Sequence, residues 1–287
     1  MSAVLKLVQG TPAWHAHRQG MRNASETPAV LGISPWLTPY ALWLIKTGRS
    51  AQPVTEAMAH GTQLEPLARA AYEAQTGEIM NPLVMQDGAY SASLDGINLA
   101  ASLIVEIKCP FRGRQSSLWR EVAAGSIPRH YAAQVQHQLM VSGAEAAHLW
   151  VFAEGEGLLL TLDRDEAQME IIREAWEAFQ PYLDHDTPPP LTDADAALRD
   201  DAPWREAAQA YLAARQEAEV ADARLDAARQ ALVALSHHPR ETGGGVSVVR
   251  LWKPGNVDYK RVPELKGVDL DRYRGEGRQE VRVTVVK

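Results

Sequence analysis

Asp95, Glu106 and Lys108 are the residues whose types and spacing most clearly indicate chemistry. Glu106 and Lys108 lie two positions apart in an apolar run rich in β-branched residues, which predicts a strand. Side chains alternate along a strand, so Glu106 and Lys108 share one face while Val105 and Ile107 point into the opposite layer. Charged groups in such a run need compensation, and a divalent cation held with Asp95 would provide it.

These two segments leave two interpretations open. In the first, two carboxylates and an ammonium converge on a metal ion, as in a nuclease that uses the D-x(n)-E-x-K pattern. In the second, the strand is an amphipathic edge strand, and Asp95 lies in a hairpin turn beside the turn-prone Gly96 and Asn98. The pattern is loose, so it does not separate the two on its own.

Further polar residues fit the first interpretation. Glu65 lies in the middle of a predicted helix, and a third carboxylate would complete a ligand set for two cations. Gln134 and Gln138 are four residues apart and share a helix face, where their amides could position a water molecule or a phosphate oxygen. The alternative for all three is a solvated helix surface.

Composition limits the class of protein. The chain has 287 residues, a formal net charge of −7 and a single cysteine, Cys109. One cysteine excludes an intrachain disulfide, a Cys-ligated zinc and the iron–sulfur type of nuclease. The acidic balance allows DNA binding only through a local basic groove. With no apolar run of membrane-spanning length and no signal-like N-terminus, we expect a soluble, cytosolic protein.

The pattern of apolar residues predicts an α/β fold in which a mixed central sheet is flanked by helices. Ser25 is expected to cap a helix that carries Pro28 in its first turn, and Gly77 and Gly143 are expected to end helices. Helices are predicted at 14–20, 25–31, 39–47, 59–76, 129–142 and 165–183. Strands are predicted at 85–94, 99–108, 147–152 and 158–162.

The composition changes after residue 183. Prolines and acidic residues predict an extended linker at 184–203, which follows a first domain at 1–183. Within the remaining arm, 204–287, an alanine-rich heptad pattern predicts one long helix of roughly 50 Å. The glycines at 243–245 are expected to form a flexible joint before a small β unit. The strands of that unit are predicted at 246–252 and 280–286.

The polar segments together resemble the lambda-exonuclease/YqaJ family of viral recombination nucleases, within the PD-(D/E)xK superfamily. The family's proline before the aspartate is replaced here by Leu94, which changes a turn residue and no ligand. The matching blocks occur in the family's order: Trp14-His15-x-x-Arg18-x-Gly20-x-x-x-Ala24-Ser25-Glu26, Gly61-x-Gln63-x-Glu65, Ser93-x-Asp95-Gly96, Glu106-x-Lys108-Cys109-Pro110-Phe111 and Ala133-Gln134-Val135-Gln136.

The resemblance implies a restriction-endonuclease-like core and a set of catalytic roles. Asp95 and Glu106 would hold Mg²⁺, or Mn²⁺ in its place, with the backbone carbonyl of Ile107, and Glu65 would assist a second ion. Lys108 would orient or deprotonate the attacking water and offset developing charge. Gln134 would help to position that water.

The resemblance also implies that Arg18 and Ser25 bind a terminal 5′-phosphate, which suits a guanidinium fork and a hydroxyl near a helix N-terminus. The implied activity is a 5′-to-3′ exonuclease on double-stranded DNA ends that releases 5′-mononucleotides and leaves 3′ single strands. The implied partners are further copies in a homotrimer and a single-strand annealing protein, in a phage or prophage setting inside a bacterial host. The alternatives are a structure-specific or restriction-type endonuclease of the same superfamily and a non-catalytic DNA-end-binding recombination scaffold.

Overall fold

The computed structural model describes residues 2–51, 54–252, 262–265 and 268. It divides into two compact units, Met1–Ala196 and Ala197–Lys287. The division falls inside the segment 184–203, where the prolines and acidic residues predict a linker.

The first unit contains one mixed sheet with helices on both of its faces. Its strands are β1 (Ala3–Leu5), β2 (Arg22–Asn23), β3 (Met80–Asp87), β4 (Tyr90–Asn98), β5 (Leu103–Lys108), β6 (Ala146–Ala153) and β7 (Glu156–Asp163). Its α-helices are α1 (Pro12–Gln19), α2 (Thr27–Val30), α3 (Pro39–Lys46), α4 (Glu56–Thr76), α5 (Ser117–Ala123), α6 (Arg129–Ser142) and α7 (Glu166–Asp184). The predicted α/β fold is confirmed.

The strand order is β1-β3-β4-β5-β6-β7, and β2 adds to β4 in parallel. Strands β4 and β5 pair antiparallel, β5 and β6 pair parallel, and β6 and β7 form a hairpin. Strand β2 uses the start of β4 (Arg22 opposite Tyr90), whereas β5 uses its end (Gly96 opposite Val105). Strand β4 therefore joins the N-terminal segment to the strand that carries Glu106.

Two apolar layers enclose the sheet, as the alternation along β5 predicts. Ile104 packs with Val135 and Leu139 of α6, while Val105 and Ile107 pack on the opposite face with residues of α4. Burying each of these aliphatic side chains contributes about 1.5–3 kcal/mol. The prediction that Glu106 and Lys108 share a face opposite Val105 and Ile107 fits this packing.

Gly96 is required by packing and not by a turn. It lies inside β4, and a Cβ atom there would stand 2.6 Å from the Met80 Cβ and 2.9 Å from a Val105 methyl group. A strand-interior glycine commonly marks such a close approach. The alternative that placed Asp95 in a hairpin turn beside a turn-forming Gly96 is therefore wrong, since Asp95 is a strand residue of β4.

Two predicted strands had incorrect bounds. The strand expected at 85–94 is split by a hairpin, because Gly88 adopts a φ of +57° and turns the chain between β3 and β4. The strand expected at 99–108 begins at Leu103, and Ala101 takes a positive φ of 55° in the turn before it. Both turns rest on single left-handed residues that the apolar pattern did not mark.

The helix ends follow local chemistry in most places. Gly77 and Gly143 end α4 and α6 in the left-handed conformation, as predicted. Asp165 caps α7 by accepting hydrogen bonds from two backbone N–H groups. The predicted capping role of Ser25 is wrong: Ser25 lies inside a 3₁₀ turn, and α2 begins at Thr27 with Pro28 in its first turn.

The described part of the second unit contains one long helix and a hairpin. Helix α8 (Ala202–Leu235) fits the predicted length. Strand β8 (Arg240–Gly243), which was not predicted, pairs with β9 (Val246–Val249), so the strand predicted at 246–252 is shorter than expected. The glycines are thus not a joint: Gly244 and Gly245, both at positive φ, form the tight turn of this hairpin. The strand predicted at 280–286 lies outside the described residues. Across the described chain, no helix is both long and apolar enough to cross a membrane.

Candidate active site

The register of β4 and β5 brings Asp95 next to Glu106. Gly96 pairs with Val105, so the residue before Gly96 and the residue after Val105 are neighbours across the ladder. The Asp95 Oδ2 atom accepts a hydrogen bond of 2.8 Å from the backbone N–H of Ile107. The pairing of β4 with β5 therefore places the two carboxylates of the sequence motif side by side.

Glu106 is almost fully buried, with 2% of its surface exposed, and donors surround it. Gln134 Nε2 donates to Glu106 Oε1 at 2.7 Å, and Gln138 Nε2 donates to Glu106 Oε2 at 2.5 Å. Lys108 Nζ forms an ion pair with Oε1. Both glutamines come from α6, where a four-residue spacing places them on the face that covers β5. A buried carboxylate is tolerated because each oxygen is bonded.

Arg69 connects helix α4 to this pair. Its Nε donates to the backbone oxygen of Asp95 at 2.7 Å, and its terminal nitrogen binds Glu65 Oε1 at 2.5 Å. The predicted third carboxylate thus stands beside the other two, held by a guanidinium. Arg69 was missed by sequence reasoning, although its spacing of four residues from Glu65 on one helix is a detectable signal.

The pKa values of the site residues reflect how closely these carboxylates lie together. Burial and the nearby Glu106 raise the pKa of Asp95 well above its usual value. Burial also raises the pKa of Glu65, against the opposing charge of Arg69. Burial alone would lower the pKa of Lys108, but Glu106 and Asp95 outweigh it and raise that pKa. Three carboxyl groups thus share the site with two cationic side chains, Arg69 and Lys108.

A divalent cation fits these residues. The donors are hard carboxylate oxygens, which Mg²⁺ prefers, and Gln138 Oε1 beside Glu106 is a buried acceptor with no hydrogen-bond partner among the described residues. A hydrated cation would supply both the missing charge and the missing donor. Within the described residues, no group of three His, Cys, Asp or Glu side chains is already arranged to coordinate a metal ion. The carboxylates are instead bonded to neighbouring side chains, namely Arg69, Lys108, Gln134 and Gln138.

Cys109 follows Lys108 and shows no sign of nucleophilic chemistry. Burial and the charge of Glu65 raise the pKa of its thiol to about 11. A thiol with so high a pKa carries little thiolate near neutral pH.

Arg18 and Ser25, predicted to bind a terminal phosphate, lie together. Arg18 donates to Ser25 Oγ at 3.0 Å and to Glu26 at 3.2 Å. Lys46, nearly buried, pairs with Glu26 at 2.6 Å and donates to the backbone oxygen of Arg18 at 2.8 Å. Burial lowers the pKa of Lys46, although Glu26 opposes this. Lys46 also went unnoticed in the sequence, since only the fold brings α3 to this position.

A chain of contacts joins the Arg18 cluster to the carboxylates. The Arg18 guanidinium lies 4.6 Å from the centre of the Trp14 ring, and Trp14 Nε1 donates to Ser93 Oγ at 2.8 Å. The Ser93 backbone oxygen receives a 3.4 Å hydrogen bond from Gln138, which also binds Glu106. The two groups are therefore linked through Trp14, Ser93 and Gln138.

Aromatic residues extend from Lys108 to the surface. The ammonium of Lys108 lies 5.1 Å from the Tyr131 ring centre, His130 packs on Tyr131, and the exposed Trp36 packs edge-on against His130 at 5.0 Å. Trp43 is buried and bonded to the backbone of Tyr182, so it is a core residue. Past Lys108, an open cavity of about 620 Å³ is lined by His60, Phe111 and Arg112, among others.

The site thus brings together Glu65, Asp95, Glu106, Lys108 and Gln134, and separately Arg18 with Ser25. The backbone of Ile107 takes part through its N–H group, and the metal-binding role of its carbonyl remains a prediction. Two further contributors were missed: Arg69, whose i,i+4 spacing from Glu65 is visible in the sequence, and Lys46, which only the fold brings to its position.

Comparison with known proteins shows which family the site region resembles. Residues 13–145 match the model described as the YqaJ-like viral recombinase domain, which includes every residue of the site. Residues 13–145 are therefore similar to this family, and the resemblance read from the sequence motifs is confirmed.

The relatives are moderately similar. The protein YqaJ of Bacillus subtilis (strain 168) is 27% identical over 171 residues, which cover 56% of this chain and 53% of that protein. The chain thus spans about half the length of that curated relative. The alkaline exonuclease LHK-Exo of Laribacter hongkongensis is 26% identical with a TM-score of 0.54, over 62% of this chain and 94% of that one. A structure of LHK-Exo in complex with dAMP matches equally well.

Proposed function

We propose that the protein is a metal-dependent deoxyribonuclease that degrades double-stranded DNA from its ends in the 5′-to-3′ direction. One observation carries the proposal: the carboxylates Asp95 and Glu106 with Lys108 are joined through Ser93 and Trp14 to Arg18 and Ser25. A phosphate-binding group beside a phosphodiester-cleaving group is what an end-directed nuclease needs. The similarity to an alkaline exonuclease supports the same activity.

Mg²⁺, or Mn²⁺ in its place, would be held by Asp95, Glu106 and the Ile107 carbonyl, with Glu65 assisting a second ion. Bound there, the metal supplies Lewis-acid activation of the scissile phosphate and of the attacking water. Burial raises the pKa of Asp95 and of Glu65, and a bound cation would stabilise the charged forms of both carboxylates.

The remaining residues act on the water and on charge. Lys108 and Gln134, which both bind Glu106 Oε1, lie where they can orient or deprotonate the attacking water. The Lys108 ammonium also offsets charge that develops on the phosphate in the transition state. Gln138 fixes the second oxygen of Glu106 and keeps the carboxylate in one orientation.

Arg18 and Ser25 bind the terminal 5′-phosphate and so set the end at which degradation starts. Glu26 and Lys46 act as positioning residues for Arg18. The products are then 5′-mononucleotides and a 3′ single strand. That strand is the substrate of a single-strand annealing protein, which would be the partner in a recombination pathway of a phage or prophage in a bacterial host. A ring-shaped homotrimer would retain the product strand and make degradation processive.

Linear duplexes labelled at one 5′ end or one 3′ end, digested with Mg²⁺ beside supercoiled plasmid, test the proposal. We expect early release of the 5′ label as mononucleotide, late release of the 3′ label and an intact plasmid. Cleavage of the closed plasmid would identify an endonuclease instead. DNA binding without any cleavage would identify an end-binding scaffold.

A further inference from the structure

Helix α8 presents an apolar seam whose side chains are exposed to solvent in the described part of its unit. Every residue of the helix except Ala208 is exposed, including Trp204 at 51%, Leu225 at 68% and Leu235 at 74%. The seam repeats with heptad spacing over the whole helix. Its members are Trp204, Ala207, Tyr211, Ala214, Ala218, Ala221, Leu225, Ala228, Leu232 and Leu235. A sustained repeat of 3.5 residues indicates a left-handed coiled coil with another helix of the same pattern.

We propose that the occupant of this seam is α8 of a second copy of the chain, in an antiparallel orientation. An isolated helix that buries so little apolar surface has marginal stability in water. Pairing along the whole seam would bury that surface over the full length of the helix. The proposal does not rest on the nuclease activity.

The sizes of the seam residues favour the antiparallel arrangement. When two copies are aligned about a two-fold axis between Ala218 and Ala221, all the seam residues of both helices are matched at once. The layers then pair Trp204 with Leu235, Ala207 with Leu232, Tyr211 with Ala228, Ala214 with Leu225 and Ala218 with Ala221. Apart from the end layers, each large side chain faces an alanine of the second copy, so the helices keep an even separation. A parallel pair would set Tyr211 against Tyr211 and Ala218 against Ala218, with alternating gaps and clashes.

The charges that flank the seam favour the same arrangement independently. Antiparallel helices bring equivalent flanking positions together. Glu217 then lies near Arg224 of the second copy, and Arg215 lies near Asp222, twice each by symmetry. A parallel dimer or trimer would instead bring Glu217 near Asp222 and Arg224 near Arg229, which repel. Exposed pairs contribute little affinity but decide orientation.

A two-fold pair also fixes how larger assemblies form. An antiparallel pair cannot lie within a three-fold ring, so it would join two rings. Three such pairs between two trimers give a closed assembly with D₃ symmetry. Whatever oligomer the first unit forms, the pairing through α8 doubles the mass of that oligomer.

Sedimentation of the full-length chain tests the proposal by mass and by affinity. Leu225→Glu places a charge in the seam, and we expect it to halve the mass of the wild-type assembly. Glu217→Arg is expected to weaken the association about tenfold, and the double variant Glu217→Arg/Arg224→Glu to restore it. Asp226→Arg makes the same charge change on the outer face of α8 and serves as the matched control, with no expected effect.

The outcomes separate the alternatives. If Glu217→Arg strengthens association, the helices pair in parallel and the proposal is overturned. If wild type and Leu225→Glu have the same mass, no second copy occupies the seam, and residues of the same chain or another protein must cover it. Circular dichroism confirms that each variant keeps its helix, and the charge variants retain their meaning even if Leu225→Glu misfolds.

Discussion

Glu106 in the first unit and Glu217 in the second carry the same charge in very different surroundings. Glu106 is buried and receives hydrogen bonds or ion-pair contacts from Gln134, Gln138 and Lys108. Glu217 is exposed on α8. A desolvated charge interacts strongly with its neighbours, which suits it to hold a cation or move a proton. A solvated charge is worth little by itself and is useful for choosing an orientation.

The two units therefore have different roles. The first concentrates buried polar groups in one place and encloses them with a large apolar core. In α8 the apolar residues lie on the surface in a regular repeat, with charges beside them. Changes in the first unit should therefore act on catalysis and stability, and changes in α8 should act on association alone.

The largest effect is expected from the carboxylates and the lysine of the site. Glu106→Gln, Asp95→Ala and Lys108→Ala should each reduce DNA degradation by about a thousandfold or more, because each removes charge that acts on the reacting phosphate. Initial rates on a linear duplex with Mg²⁺ measure the loss, and chelation with EDTA should abolish the wild-type rate. Glu145→Gln, an exposed glutamate near β6, is the control.

Folding separates catalytic loss from structural loss in these variants. Asp95→Ala should not lower the free energy of unfolding by the several kcal/mol typical of a core defect, since the raised pKa of Asp95 means that its charge opposes folding at neutral pH. A wild-type-like rate in any of the three variants would remove that residue from the mechanism.

The next largest effect concerns the end preference. Arg18→Ala should remove most of a preference for 5′-phosphorylated ends, a loss of about ten- to a hundredfold, because a charge-assisted bond to phosphate contributes roughly 1.5–3 kcal/mol. Competition between 5′-phosphate and 5′-hydroxyl duplexes measures it. Arg173→Ala removes a partly exposed guanidinium from α7 and should leave the preference intact. Equal wild-type rates on both kinds of end would show that no phosphate pocket exists.

Acid should lower the folding stability of the first unit, because it favours protonation of the buried His137 side chain. Burial lowers the pKa of His137 to about 3, and its Nδ1 atom shares a 2.6 Å hydrogen bond with the Thr27 hydroxyl, which Trp176 also contacts. An unfolded histidine binds its proton at about pH 6.5, so this stability is complete above that pH and is lost as the pH falls. The loss between pH 7 and pH 5 is about 2 kcal/mol.

Urea unfolding followed by tryptophan fluorescence at the two pH values measures this loss. His137→Gln should lower stability at pH 7 and flatten the dependence on pH by about the same 2 kcal/mol. An unchanged slope in that variant would mean that other groups carry the acid sensitivity.

A smaller effect is expected at the surface of the site. Trp36 is exposed, and its ring contacts His130, which packs on Tyr131 beside Lys108. We therefore expect the Trp36 ring to stack on a DNA base. Trp36→Ala should weaken DNA binding by about 1–3 kcal/mol without loss of stability. Trp204→Ala, which removes another exposed indole, from α8, should leave DNA binding unchanged.

Sequence reasoning recovered the parts of the site that depend on local periodicity. The shared face of Glu106 and Lys108 follows from the two-residue repeat of a strand, and the ends of α4 and α6 follow from Gly77 and Gly143. It failed where a distant partner decides the structure. Asp95 is a strand residue only because β3 and β5 flank it. In the sequence, β3, the turn at Gly88 and β4 look like one long strand. Only the pairing of β3 with β4 shows that the chain turns at Gly88.

The same reason explains the residues that were missed or misassigned. Lys46 reaches Glu26 across the fold, and nothing in its own neighbourhood marks it as part of the site. The glycines before β9 were interpreted as a joint because β8, a strand of mixed polar composition, was not recognised as a partner. The heptad pattern of α8 was visible at once, since it is local. Its preferred partner orientation requires that the layers and charges be compared in two copies.

The smallest effect on catalysis is expected from removing the second unit. A chain that ends at Ala196 should degrade duplex ends within about threefold of the full-length rate per chain, because the residues of the site all lie in the first unit. It should lose the association through α8, which sedimentation detects. A soluble, folded chain of this length without activity would show that the second unit completes the active site or the DNA path.

Product analysis tests the central claim most directly. A duplex with one radiolabelled 5′-phosphate is incubated with Mg²⁺ and the full-length protein, with Glu106→Gln, or with the control Glu145→Gln. We predict labelled 5′-mononucleotide as the first product from the full-length protein and from Glu145→Gln, and none from Glu106→Gln, which should still bind the duplex. Label released as longer oligonucleotides, or mononucleotide release by Glu106→Gln at the wild-type rate, would contradict the account.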